Sequence, residues 1–181
     1  MKIKVALRVK SVRALGLEHV NVLDAYAGSG KVWALVQERV PEISLSFTRI
    51  DKKRHPNVDA IIGDNLRIMP SLDLASFDLI DLDSYGVPNR QLRLCATYAP
   101  EVPVVVTCIA NRLSPVPADV LIECGVPKDW TPRSEGAEAV FTQWRMFWWD
   151  QFCARLGYPS TEREIYQDRM IKVYQILHPI M

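Results

Sequence analysis

Histidine is scarce in this 181-residue chain, and its three copies, His19, His55 and His178, are too scattered for the ligand spacing of a zinc centre. No metal is expected. The four cysteines, Cys95, Cys108, Cys124 and Cys153, form no CxxC pair, and reduced, buried thiols in a cytoplasmic protein are the simplest reading. No apolar run approaches the ~18 residues of a membrane span. The amino terminus lacks the apolar core and cleavage site of a signal peptide, so neither membrane insertion nor secretion is expected. A charge excess is missing too: the formal net charge is +1, which excludes a globally basic nucleic-acid coat and leaves local patches open. One such patch is "MKIKVALRVKSVR", where Lys2, Lys4, Arg8, Lys10 and Arg13 meet no acid. It reads as a solvated amphipathic terminus.

What the chain does contain is alternation. "HVNVLD" (19–24), "ISLSFTRID" (43–51), "VDAIIGD" (58–64), "FDLIDLD" (77–83) and "VPVVVTCI" (102–109) read as strands. Helical spacing separates them in "KVWALVQERV" (31–40), stopped by Pro41, and in "NRQLRLCATYA" (89–99), stopped by Pro100; "LRIMPSL" is a short helix or turn cut by Pro70. The last strand is continuously apolar, as a central parallel strand covered on both faces must be. The segment "TEREIYQDRMIKVYQILHP" (161–179) has no helix-length separator and predicts an antiparallel hairpin. The expected fold is α/β, with a seven-stranded, mostly parallel sheet, helices on both faces and a C-terminal antiparallel hairpin, in one domain over 1–181.

Residues 111–134, broken by four prolines, predict a long loop at the carboxyl end of the fifth strand, where open parallel sheets bind ligands. A long helix is predicted over 135–157. Phe141, Trp144, Trp148 and Phe152 form its core stripe, while Phe147 and Trp149 lie off it and suggest a surface for a homo-oligomer or partner subunit.

"VLDAYAGSGKVW" is a strand, a Gly28-Ser-Gly30 turn and a helix start. Three readings compete beside a plain tight turn. A dinucleotide site needs G-x-G-x-x-G, but the third position is Trp33; a P-loop needs a hydroxyl after Gly-Lys, but Val32 stands there. An S-adenosylmethionine site needs the glycines without a phosphate cradle. Asp24, Asp51, Asp64 and Asp83 end the first four predicted strands, so one edge of the sheet would collect their charges. Such an edge repels phosphates and suits a sulfonium, an ammonium and ribose hydroxyls.

On these residues the chain resembles the Rossmann-like (class I) S-adenosylmethionine-dependent methyltransferases over nearly its whole length. The resemblance places Asp24, Ala25, Gly28 and Gly30, in a DxYxGxG-type turn, at the methionine part of the cofactor. It gives Asp51 to the ribose and Asp64 with Asn65 to the adenine, and it puts Asp83 beside the methyl group. "FDLIDLDSYG" is similar to the FDLIxxDPPY motif of amino-methyltransferases acting on bases, and closer to the DLDPYGSP of the tRNA guanine-N2 methyltransferases. It departs from them at Ser84, where they have proline, and at Ile109-Ala110, where they have Thr-Asp. An exocyclic amine is a poor nucleophile because its lone pair is spread into the ring, and a carboxylate accepting its N–H can localise and aim that pair.

The resemblance therefore implies Asp83 as acceptor, the residue-84 carbonyl as helper and Tyr85 as a stacking ring, with a nucleic acid (tRNA, other RNA or DNA) as partner. Lys52, Lys53 and Arg54 are candidates for phosphates; Arg90, Arg112, Lys128 and Arg133 flank the substrate edge. Three rivals stay open: a non-catalytic protein of the same fold, a small-molecule N-methyltransferase, and a P-loop hydrolase resting on "GSGK" alone.

Overall fold

The computed structural model describes residues 2–110, 118–125, 149–167 and 171–179. The chain opens with helix α1, Lys2–Ala14, in which Val5, Leu7, Arg8, Ser11 and Val12 are buried. Gly16, at φ 66°, ends it in the left-handed conformation that glycine adopts without a Cβ penalty. Strand β1, His19–Asp24, has the bounds the sequence predicted. It is followed by α2 (Lys31–Gln37) and β2 (Ser44–Asp51), then by β3 (Ile61–Ile62) and α3 (Asn65–Ile68). Two short 3-10 turns lead to β4 (Leu79–Asp83), α4 (Asn89–Tyr98) and β5 (Val104–Ala110). Helix α5 (Ala118–Glu123) and strands β6 (Ser160–Gln167) and β7 (Ile171–Leu177) follow, and 149–155, within the predicted 135–157 helix, is helical as well.

The strands run in the order β3-β2-β1-β4-β5-β7-β6. Pairing is parallel from β3 to β5, and β7 enters antiparallel between β5 and β6. The predicted hairpin is therefore present, with its second strand against the parallel sheet. Apolar side chains pack on both faces. Val5, Val12, Trp33 and Val36 of α1 and α2 meet Val20, Val22, Leu79 and Val105 on one side. Leu92, Cys95, Val120 and Phe152 meet Leu23, Ile80, Leu82 and Val106 on the other.

Three expectations need correction. The sheet has six full strands rather than seven: 58–64 contributes only the two-residue β3, paired to β2 at the edge. Ile61 and Ile62 are both exposed, and Gly63 with Asp64 turns the chain at once into α3, so nothing rewards a longer strand. Residues 111–134 are not all loop, because α5 lies within them and buries Val120 and Leu121. Trp149 is no partner surface: it is buried, stacks on Phe152, and its indole N–H donates to Gln175 Oε1 at 2.6 Å. Phe147, the rest of the predicted stripe and 135–148 lie outside the described residues.

Candidate active site

Strand β1 pairs with β2 on one side and β4 on the other. The order reverses between β1 and β4, and in an open parallel sheet the crevice beyond the carboxyl ends at such a switch point is the usual ligand site. The two motifs singled out in the sequence leave from these strands. They are joined at the root, since the Ala25 N–H donates to the Asp81 carbonyl at 3.1 Å.

After Ala25 the chain leans over β2: the Ala27 N–H donates to the Ile50 carbonyl at 3.0 Å, and the Gly28 N–H to Asp51 Oδ2 at 2.7 Å. Gly28 (φ 52°) and Gly30 (φ 70°) both take the left-handed backbone that β-carbon residues avoid. A Cβ on Gly28 would meet nothing closer than the Tyr26 carbonyl at 3.9 Å, so the turn leaves open space there. Asp51 also accepts the Lys53 N–H on Oδ1 at 2.8 Å, with His55 Nε2 at 3.7 Å from the same oxygen. A carboxylate has about four acceptor positions, so two remain.

Asp64 caps α3 by accepting the Leu66 N–H at 2.9 Å, and Lys52 Nζ lies 3.0 Å from its other oxygen. Those two bonds hold it below the usual carboxylate range. Asn65 is buried; its amide donates to the Ala25 carbonyl at 3.1 Å and its Oδ1 accepts from Gln91 Nε2 at 2.8 Å. It thus straps the turn after β1 to α4.

The tip of β4 differs most from the sequence reading. Asp24, Asp81 and Asp83 alternate with the residues of the other core (Leu23, Ile80, Leu82), so they face α1. That helix answers them. Arg8, fully buried, donates from Nε and Nη2 to the two oxygens of Asp81 at 2.7 and 2.6 Å, and Trp33 Nε1 adds a third bond at 2.8 Å. Lys4 Nζ holds both oxygens of Asp83 at 2.6 and 2.8 Å, with Arg8 Nη2 3.6 Å away. The basic terminus is therefore amphipathic but only partly solvated: Lys2, Lys10 and Arg13 are exposed, while Lys4 and Arg8 turn inward to the acids. Burial alone would lower the Arg8 guanidinium, but Asp81 and Asp83 outweigh it and keep Arg8 above its ordinary value. Burial, then Asp81, pushes Asp24 up to about 7 against the pull of Arg8.

Lys4, Arg8 and Trp33 were missed from sequence as partners of the acids on β4. The available signal was Asp81 itself, a carboxylate inside an apolar strand that needs a buried counter-charge. Correspondingly, the expected pool of four bare acids does not form. Asp24 and Asp83 join Asp81 around α1's cations, while Asp51 is bonded to the glycine turn and Asp64 to Lys52.

Ser84 is buried, and its hydroxyl donates to the Gly86 carbonyl at 2.6 Å. That bond closes the turn where related motifs use proline. Tyr85 projects outward, 91% exposed. Arg90, Lys52, Lys53 and Arg54 are exposed; Arg112, Lys128 and Arg133 lie outside the described residues.

No protein-family profile and no curated protein matches the chain. Among solved structures it is similar to the carbon methyltransferase CurJ, at 12% identity and TM-score 0.53 over 91% of this chain and 49% of that one. It is also similar to CalO1, a methyltransferase in calicheamicin biosynthesis solved with SAH bound, at 16% identity and TM-score 0.51 over 98% and 54%. Trm1 from Pyrococcus horikoshii, solved with S-adenosyl-L-methionine, matches at 16% identity and TM-score 0.50 over 98% and 55%. The chain thus spans about half the length of each. At these identities the likeness is one of fold: this chain has the α/β fold found in S-adenosylmethionine-dependent methyltransferases.

Proposed function

We propose that the chain is an S-adenosylmethionine-dependent methyltransferase whose acceptor is an exocyclic amine of a nucleic-acid base. One observation carries the reading. The glycine turn after β1 and the Asp83-Ser84-Tyr85 tip of β4 stand on either side of the switch point, joined by the Ala25–Asp81 bond. A donor-binding motif and an amine-holding motif on facing strand tips are what transfer between two bound molecules requires.

The residues fit the cofactor. Gly28 leaves open space where the methionine part would lie, Gly30 shapes the turn beside it, and the backbone of Asp24 and Ala25 would border that part; Asp51 keeps acceptor positions that ribose hydroxyls would take, and Asp64 and Asn65 would lie at the adenine. When bound, the cofactor supplies an electrophilic methyl group. Asp83, with the residue-84 carbonyl, accepts the N–H of the base and fixes the direction of its lone pair. Tyr85, fully outside the core, offers a face for the base.

A second reading is a non-catalytic binding protein of the same fold. It is favoured by the Lys4 ammonium, which already engages both oxygens of the carboxylate assigned to the acceptor. Radiolabelled methyl transfer to unfractionated tRNA separates the two. The enzyme reading expects counts in tRNA that vanish in Asp83→Ala, while cofactor affinity stays within about tenfold. Cofactor binding without transfer to tRNA, DNA or a metabolite extract supports the binding protein.

A further inference from the structure

We propose that Lys4 is a specificity-determining residue for charge: by neutralising Asp83 it removes the preference for a sulfonium over a neutral thioether that a lone carboxylate would give the donor site. The inference rests on the reading above, which places the donor's reacting end near Asp83.

The charges at the β4 tip cancel in pairs. Arg8 is matched to Asp81 in a fully buried two-bond contact. Lys4 is matched to Asp83 through both carboxylate oxygens, and the pair is mostly shielded, at 27% and 15% side-chain exposure. The first turn of α1 is fixed in place, because Arg8 Nη1 donates to the Lys4 carbonyl at 3.0 Å. Two cations and two carboxylates leave no net charge here, and burial drives Asp24, the third acid on this face, toward its neutral form. Without the ammonium, Asp83 would keep only Arg8 Nη2, 3.6 Å away and already bonded to Asp81, and the β4 tip would carry a net negative charge.

Donor and product differ by one methyl and one positive charge, so an uncompensated carboxylate distinguishes them and a compensated one does not. A unit charge about 6 Å away, at an effective dielectric of about 40, changes affinity by roughly tenfold. Shielding from solvent keeps salt from erasing the effect. Lys4 differs in this from Lys10, on the exposed side of the same helix.

Titration calorimetry of S-adenosylmethionine and S-adenosylhomocysteine tests this on the wild type and on Lys4→Met, Lys4→Arg and Lys10→Met. The wild type is expected to show little preference between the two, and a strong preference for the donor overturns the proposal. Lys4→Met should shift the ratio of the two dissociation constants toward the donor by about threefold to tenfold, while Lys4→Arg and Lys10→Met keep the wild-type ratio. Lys4→Gln, which keeps polar contact with Asp83 but not the charge, should behave as Lys4→Met and serves if the methionine variant folds poorly. An unmoved ratio, or two constants that move together as a packing defect would make them, overturns the proposal and leaves the donor site standing. Failure of the wild type to bind either compound overturns the donor site and this proposal together.

Discussion

Arg8 has no exposed surface, and its guanidinium is shared between Asp81 and the Lys4 carbonyl. Removing one member of a buried pair strands the other, at a typical cost of about 3–5 kcal/mol. Arg8→Met is therefore expected to lower the unfolding free energy by that much, read as a lower denaturation midpoint with little change in slope, while Arg8→Met/Asp81→Leu recovers most of the loss. If the double variant is no better than the single one, the cost is packing rather than stranded charge. At this scale the sequence was legible where a motif had its own geometry. Gly28, Gly30 and Asp51 could be named, and the structure ties Asp51 to Gly28. It was illegible where the partner came from far along the chain. Asp81 and Arg8 are 73 positions apart, and only the packing of α1 on β4 brings them together.

Among the elements, β1 was predicted to the residue because a valine-rich run ended by an aspartate and a glycine turn has few alternative structures. The third strand was over-read because apolar content alone does not make a strand; Ile61 and Ile62 have no face to bury. Helix α1 was under-read because Lys4 and Arg8 were assigned to solvent with the exposed Lys2, Lys10 and Arg13, although Val5, Arg8 and Val12 share one helical face and are all buried. The glycine turn gives a second prediction. Gly30 combines φ 70° with a Cβ position 3.3 Å from Val58 Cγ2, so Gly30→Ala should destabilise the fold by about 1–2 kcal/mol in chemical denaturation. Gly28→Ala, at φ 52° with open space around the new methyl, pays only for the backbone. A Gly30→Ala effect no larger than that of Gly28→Ala would mean the turn is less constrained than its geometry indicates.

For the molecule as a whole, Asp24 ties stability to pH. Its value rises from 3.8 to about 7 on folding, so between those limits the folded chain holds a proton that the unfolded chain has released. Stability from this group is complete below about pH 4 and declines as pH rises through about 7. Asp24→Asn should flatten that decline in denaturation midpoints measured between pH 5 and pH 8; a wild-type midpoint that rises steadily across that range contradicts the assignment. No helix among the described residues is long and apolar enough to cross a membrane. The mostly parallel sheet with helices on both faces and the terminal hairpin were legible because the strand and helix periods alternate cleanly; the strand order was not. The electrostatics of the edge were not, because counting acids at strand tips ignores the cations that α1 lays against them.

The account stands on the crevice over Gly28 taking a methyl donor. Calorimetric titration of the wild type and Asp51→Ala with S-adenosylmethionine, and of the wild type with ATP and NAD, tests it most directly. Saturable heat with the donor, at least tenfold weaker in Asp51→Ala and absent with both nucleotides, is the predicted result. No donor heat, or tighter binding of either nucleotide, would contradict it.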